Sequence, residues 1–405
     1  MAAVPLEELS NALVRVAKKV KVLSALSWPE PAAEAFLQSW RAGRPAPPPP
    51  VTPRRRSAPL QRTLAQLEAR VDRADPLGRY LAATARSYRR AAELLDHAGT
   101  PTFHRISREL YGGADGALHG SALCHREAAE KLLAATEAMA RATEEEPTPL
   151  SAEDVQRALK RRWRGFFDTP MRFVVDPNLS AKAAASATRV RLRGGTRYAP
   201  ADIEQLSAHE VGVHSLTARN GRSQRVRALG LGAPRTTATQ EGLATFAELV
   251  TGAIDLRRLR RIALRIRAIA LAEDGADFVE LFEHLIEAGE TPLEAVHTTM
   301  RVFRGADVRG GHPFTKDVVY LKGLFAVHTF LRKAIAEHRV ELLPTLFVGR
   351  LTLADAVALA GDPRIDPPRY LPEWAAKLPS LAAFLAFSAL IDHIDLGEVD
   401  LDEAP

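Results

Sequence analysis

From residue 59 to about residue 392, apolar residues recur at the three-and-four spacing of a helix face, with one interruption. Between residues 171 and 198 the segments MRFVVDP and TRVRLRGGTRY read instead as two short strands. The second alternates apolar and polar residues and carries a Gly-Gly turn. Such a chain is restricted to a mainly α fold with a small β-sheet, an α+β protein in which strands play a local part. Composition points the same way. Aromatics make up only 6% of the residues, while Ala, Leu and Arg, all strong helix formers, dominate many stretches.

The pattern divides the chain into three segments. Residues 1–58 give an N-terminal helix, with Leu6, Leu9, Leu13 and Val16 on one face, and then a proline-rich connector, Arg44 to Arg56. Its four consecutive prolines exclude helix and favour an extended run. Residues 59–170 form a helical region. Its clearest member is Pro76 to His97, with Leu77, Tyr80, Leu81, Tyr88, Ala91 and Leu95 on one stripe. Residues 171–405 hold the strands, a helix opened by Pro200-Ala201-Asp202, and a long helical tail. Ser151, and the pair Thr291-Pro292, have the residue types that start helices.

Several classes of protein are disfavoured. The first twenty residues lack the apolar core and cleavage site of a secretory signal. No window of about 18 uninterrupted apolar residues exists, so a membrane span is not expected. The most apolar stretch, Leu378 to Ile391, reads as a buried helix. The single cysteine, Cys124, rules out an intramolecular disulfide and a cysteine-based metal cluster. A cytoplasmic location is the expectation. Net charge is +6, from 55 basic and 49 acidic residues. Basic clusters at Arg54 to Arg56, Lys160 to Arg162 and Arg257 to Arg267 are expected to be solvated helix faces. Nucleic acid is not an expected partner, because no aromatic residues interleave with them as a stacking platform requires.

The chemistry concentrates in His209-Glu210-Val211-Gly212-Val213-His214. Two histidines with a glutamate beside the first are the makings of a zinc hydrolase. In the common motif the histidines are four apart and share a helical face. Here they are five apart, which rotates the second by about 140° on a regular helix. Both reach one metal only if the helix is widened between them, as a one-residue π-bulge would do. Gly212 lies inside the interval, where backbone deformation is easiest.

A third ligand is needed, with a fourth position left for water. Glu241, in Gln240-Glu241-Gly242-Leu243-Ala244, falls in the first turn of a helix and is the first choice. Glu248, one heptad on, is the second. Glu210 adjoins a ligand and has the role of general base, taking a proton from the water and passing it to the leaving amine. An edge strand beside a metal helix can bind a substrate backbone by strand addition, and Thr188 to Leu192 is the candidate.

HEVGVH, the following Thr217 to Gly221 and QEGLA together resemble the bacterial flavohaemoglobin expression-modulating QEGLA motif proteins. That family is similar to the animal microtubule-associated tyrosine carboxypeptidases. FHRISRELYGG (Phe103 to Gly113) and FTKDVVYLKG (Phe314 to Gly323) extend the resemblance over roughly residues 60 to 340. It implies a zincin-like helical metallopeptidase with Zn²⁺ on His209, His214 and Glu241, and Glu210 as catalytic base. The animal members take a C-terminal tyrosine from tubulin. What carries over is the reaction class, release of a C-terminal residue from a peptide or protein.

Such an enzyme must recognise a free carboxylate, which Arg does with a bidentate fork and Lys as a point charge. Lys316, Arg304, Arg219 and Arg309 are candidates, and Asn220 stands beside Arg219. Lys316 and Tyr320 are four apart and share a helix face. Tyr320 could donate to the oxyanion. His312, in the loop before Lys316, could approach the site. The competing reading is a non-enzymatic, zinc-stabilised regulatory or binding protein. It gives Glu210 no purpose, and no fourth protein ligand is evident.

Overall fold

The computed structural model describes residues 5–29, 31–51, 57–142, 147–177, 179 and 181–391. The Arg54 to Arg56 cluster lies outside them. The described chain is mainly helical with one three-stranded sheet. The helices that frame the site are α1 (Leu6–Ala17), α2 (Pro31–Arg41), α3 (Pro76–Asp96) and α4 (Ala152–Arg162) before the sheet. After it come α5 (Ala201–Leu206), a π-helical segment (Ser207–Ser215), α6 (Leu216–Ser223), α7 (Thr237–Val250) and α8 (Leu256–Glu273). The last three are α9 (Pro292–Val302), α10 (Val319–Ala336) and α11 (Leu378–Ile391). Local chemistry sets several starts. The Ser151 side chain caps α4 by accepting from the Asp154 N–H, and Thr291 caps α9 by accepting from that of Glu294.

The sheet consists of β1 (Arg172–Asp176), β2 (Ala183–Ala185) and β3 (Arg189–Arg193), in the order β1-β3-β2. β3 runs parallel to β1 and antiparallel to β2. This corrects two expectations. There are three strands, because Ala183 to Ala185 has helical rather than β-branched composition and shows no strand signal. β3, which contains most of Thr188 to Leu192, is the central strand. Its backbone is paired on both sides and cannot receive a substrate. The edge nearer the π segment is β2, with Ala183 on the wall of the main cleft.

Two hydrophobic cores hold the protein together. One gathers Leu9, Leu13, Tyr80, Leu192, Val211, Leu243, Phe246, Phe347 and Leu385. The other gathers Phe36, Phe103, Ile266, Ile269, Phe278, Phe282, Phe303 and Val319. In each, residues far apart in sequence share a core. The α11 helix is not buried all round as expected. It turns Leu381 and Leu385 inward but leaves Phe384 and Phe387 exposed. No described helix is long and apolar enough to cross a membrane.

The two cores meet where α7 crosses α10. Gly242 and Gly323 make that crossing possible. A Cβ on Gly242 would lie 2.2 Å from the Gly323 backbone, and one on Gly323 would lie 2.1 Å from the Ala238 carbonyl oxygen. The helix backbones therefore touch, and only glycine fits on either side. The contact sits next to Glu241 on α7 and three residues past Tyr320 on α10, so it sets how closely those side chains approach.

Candidate active site

The histidine motif does not contain a single bulge. All nine residues from Ser207 to Ser215 are π-helical, so the widening is spread over the whole motif. A π-helix closes its hydrogen bonds five residues apart, which brings His209 and His214 onto one side. Their rings stand 4.8 Å apart and nearly perpendicular, at 86°. Gly212 is buried within the segment, and a Cβ there would come within 3.3 Å of the Ser207 carbonyl oxygen. The segment is tied down at its far end by Arg350, which donates to the His214 carbonyl oxygen at 3.1 Å.

Glu241 enters from α7. Its Oε2 lies 3.4 Å from His209 Nε2 and 3.5 Å from His214 Nε2. Among the described residues, His209, His214 and Glu241 are the one group whose donor atoms gather closely enough to hold a metal ion, all within 4.8 Å of one another. Burial works against the Glu241 charge. Lys316 and the two histidines outweigh it and hold the carboxyl well below the usual range.

Glu248 is not part of that group. It lies one shell out, fully buried, with Oε1 accepting from His209 Nδ1 at 2.5 Å. Gln205 donates to the same oxygen at 2.9 Å, and Arg258 donates to both oxygens at 3.1 Å. Burial opposes the charge here too, but Arg258 and His209 bring the Glu248 carboxyl down to about 2. His209 is caught between two carboxylates. Burial alone would lower its pKa, yet Glu241 and Glu248 push it up to about 10.

Of this group, His209 lines a cleft of about 460 Å³, as does the neighbouring Glu210. Glu210 is largely buried, lines the cleft and makes no hydrogen bond among the described residues, so its carboxylate is uncommitted. Tyr320 lines the same cleft. Lys316 donates to Glu241 Oε1 at 3.0 Å and to the Tyr320 hydroxyl at 3.3 Å, and Arg301 also donates to that hydroxyl at 3.3 Å. Burial and Glu241 would raise the phenol. Lys316 and Arg301 overcome them and lower it.

The other sequence candidates have different surroundings. Arg304 is buried near Arg301 with an unpartnered Nε, but it is not on the cleft wall. Arg219 stacks on Phe167 and donates to the carbonyl oxygens of Ala187 and Thr169, both at 2.9 Å. Asn220 donates to the carbonyl oxygens of Phe347 and Tyr370 and accepts from the Tyr370 N–H. Arg219 ties α6 to the loops around the sheet, and Asn220 ties it to the C-terminal loops. Arg309 is exposed and pairs with Asp307, and His312 packs beside His104.

The Arg257 to Arg267 run is the main feature that sequence reasoning misread. It is only partly a solvated face. Arg257, Arg260 and Arg267 form ion pairs with Glu294, Glu137 and Glu130. Arg258, Arg261 and Arg265 line the cleft. Their spacing of three and four is the available signal, since it places them on one helix stripe. Spacing alone does not say what the stripe faces. Arg301 and Asp317, a bidentate pair beside Tyr320, were likewise not singled out.

No curated protein matches the chain. A family model described as microtubule-associated tyrosine carboxypeptidase matches residues 34–393, most of its length. The matched region contains the histidine pair, Glu241 and the whole cleft, and the chain belongs to the microtubule-associated tyrosine carboxypeptidase family.

Proposed function

We propose that this protein is a zinc-dependent carboxypeptidase that releases a C-terminal residue from a peptide or protein. One observation carries the reading: His209, His214 and Glu241 converge beside an uncommitted Glu210 that lines a cleft. The donor set fits zinc. Tetrahedral ligands at bond lengths of 2.0–2.1 Å are about 3.3 Å apart; the two histidine–carboxylate separations here are 3.4 and 3.5 Å, and all three donor atoms lie within 4.8 Å of one another. Among the described residues three protein ligands are at hand, which leaves one position open, as in zincin-like hydrolytic sites. Glu248 supports the fit. It takes the Nδ1 proton of His209 as a hydrogen-bond partner and so leaves Nε2 to face the metal.

When bound, zinc polarises the scissile carbonyl and lowers the pKa of a water in the site. Glu210 accepts the proton from that water and returns it to the departing amine. The Tyr320 hydroxyl, held by Lys316 and Arg301, supplies a preorganised donor for the oxygen that gains charge. β2 takes over the strand-addition role first assigned to Thr188 to Leu192, because Ala181 to Ala183 border the cleft. The family's name supplies tyrosine as the first C-terminal residue to try.

The test is a mixed peptide library incubated with wild type and with Glu210→Gln and read by mass spectrometry. Loss of single C-terminal residues with wild type, and not with Glu210→Gln, is the expected result. Internal cleavage, or equal trimming by both proteins, would overturn the assignment. A folded, metal-bearing wild type that trims nothing would favour the regulatory reading.

A further inference from the structure

The cleft wall carries six lysine and arginine side chains: Lys182, Arg257, Arg258, Arg261, Arg265 and Arg301. Five have a carboxylate within hydrogen-bond reach. Lys182 pairs with Asp202 at 2.7 Å, Arg257 with Glu294 at 3.0 Å and Arg258 with Glu248 at 3.1 Å. Arg261 pairs with Glu294 at 2.5 Å, and Arg301 with Asp317 at 2.7 Å. Arg265 is the exception. Its nearest carboxylate oxygen belongs to Asp317, 3.8 Å away and already engaged by Arg301. Among the described residues its buried Nε has no hydrogen-bond partner; Arg261 Nε has none either, but that guanidinium also holds Glu294.

Arg265 is largely shielded from bulk water, with its side chain only 12% exposed. Its guanidinium lies 5.1 Å from the centre of the Tyr320 ring. The Tyr320 hydroxyl leads through Lys316 to Glu241. The surplus cation is therefore two side chains away from the proposed metal ligand, along one wall. Burying a guanidinium without an anion is costly. Burial and the neighbouring Arg301 accordingly bring Arg265 down to about 10, whereas Arg258 and Arg301, each with a full partner, are pushed up.

We propose that Arg265 receives the carboxylate of the substrate's C-terminal residue, making it the residue that restricts the site to chain ends. This rests on the carboxypeptidase reading above. A guanidinium offers a carboxylate two parallel N–H donors, and an arriving anion supplies the counter-ion that the wall lacks. An amidated or internal residue at the same position brings no charge and leaves Arg265 uncompensated. Arg304 has a similar deficit of partners, but it is off the wall and cannot meet a ligand in the cleft.

The test uses the peptide that wild type trims fastest in the library, as free acid and as C-terminal amide. Calorimetry on the full-length Glu210→Gln protein measures binding without turnover, and kcat/KM of the wild-type background measures release. We expect the free acid to bind and react about a hundred-fold better than the amide, as a charge-assisted bidentate contact allows. Arg265→Gln should bring both ratios close to one, and Arg265→Lys should restore part of them. The melting temperature of Arg265→Gln should not fall, since the change removes an uncompensated buried charge. A wild-type ratio retained in Arg265→Gln, or a lost ratio accompanied by a lower melting temperature and no rescue by Lys, would overturn the role of Arg265 while leaving the peptidase reading intact. A wild type that trims no peptide overturns both.

Discussion

The site has two halves built in different ways. His209, His214 and Glu241 sit on elements of one core, beside Val211, Val213 and Leu243. Arg265, Arg301, Asp317 and Tyr320 sit on elements of the other, beside Ile266, Val302 and Val319. The first half is a trio held at fixed spacing by one deformed helix and one regular helix. The second is a mesh of buried charges from three separate segments. The difference suggests a division of labour, with the trio providing the reaction and the mesh selecting what is presented to it. The Gly242–Gly323 contact joins the halves and makes their separation a structural constant.

The largest effect should come from the reacting side. Glu210→Gln should lower kcat by about a thousand-fold, in the range general acid–base catalysis contributes, with peptide affinity nearly unchanged. A comparable fall in affinity would mean that Glu210 binds substrate and would blur the two halves into one. Next comes the joint. Gly323→Ala places a Cβ against the Ala238 carbonyl oxygen with no side chain to move aside. Overpacking of this kind costs roughly 1–3 kcal/mol, readable by urea denaturation. An unchanged midpoint would show that the helices can part without loss and that the joint is not rigid.

A smaller effect is expected at the residue behind the proposed metal ligand His209. Glu248→Gln keeps the shape but removes the charge facing His209 and Arg258. Metal affinity should weaken by roughly ten- to a hundred-fold, the usual range for outer-shell partners, as measured by competition with a chromophoric chelator. Full affinity would assign Glu248 to packing alone.

The smallest effect lies at the rim of the charge mesh. His297 faces Arg193, Arg301 and Glu294, and burial together with the two arginines brings it down to about 4. Its folded value is below its ordinary 6.5, so the unfolded chain takes up this proton first as pH falls. The contribution to stability is therefore level above about 6.5 and declines between about 6.5 and 4. For a partly exposed group the loss should be roughly 1–2 kcal/mol. Chemical denaturation of wild type and His297→Gln across that range measures it, and parallel curves for the two proteins would contradict it.

The two halves were not equally legible in the sequence. Spacing within HEVGVH already requires a widened helix, because five residues place the rings on different sides of a regular one. Only its extent differed, with a π segment in place of a single bulge. Glu241 was readable because its helix start is local. The mesh was less so. Arg258, Arg261 and Arg265 share a stripe, but a stripe of arginines looks the same whether it meets water or a cleft. The partners that decide the matter, Glu248, Glu294 and Asp317, lie far along the chain for most of the stripe. Gly242 and Gly323 are equally silent, since a close approach of two helices belongs to neither alone. Asn220 and Arg219 misled for the opposite reason. They follow the motif directly, yet both donate to loop carbonyl groups that only the fold brings near.

The central claim is that the trio is a metal site and that Glu210 is not part of it. The most direct measurement is the metal content of purified wild type, Glu241→Ala and Glu210→Gln by inductively coupled plasma mass spectrometry. The account predicts one zinc per chain in wild type, an equal amount in Glu210→Gln and a marked loss in Glu241→Ala. A folded wild type that binds no zinc when supplied with it, or zinc retained in full by Glu241→Ala, would contradict it.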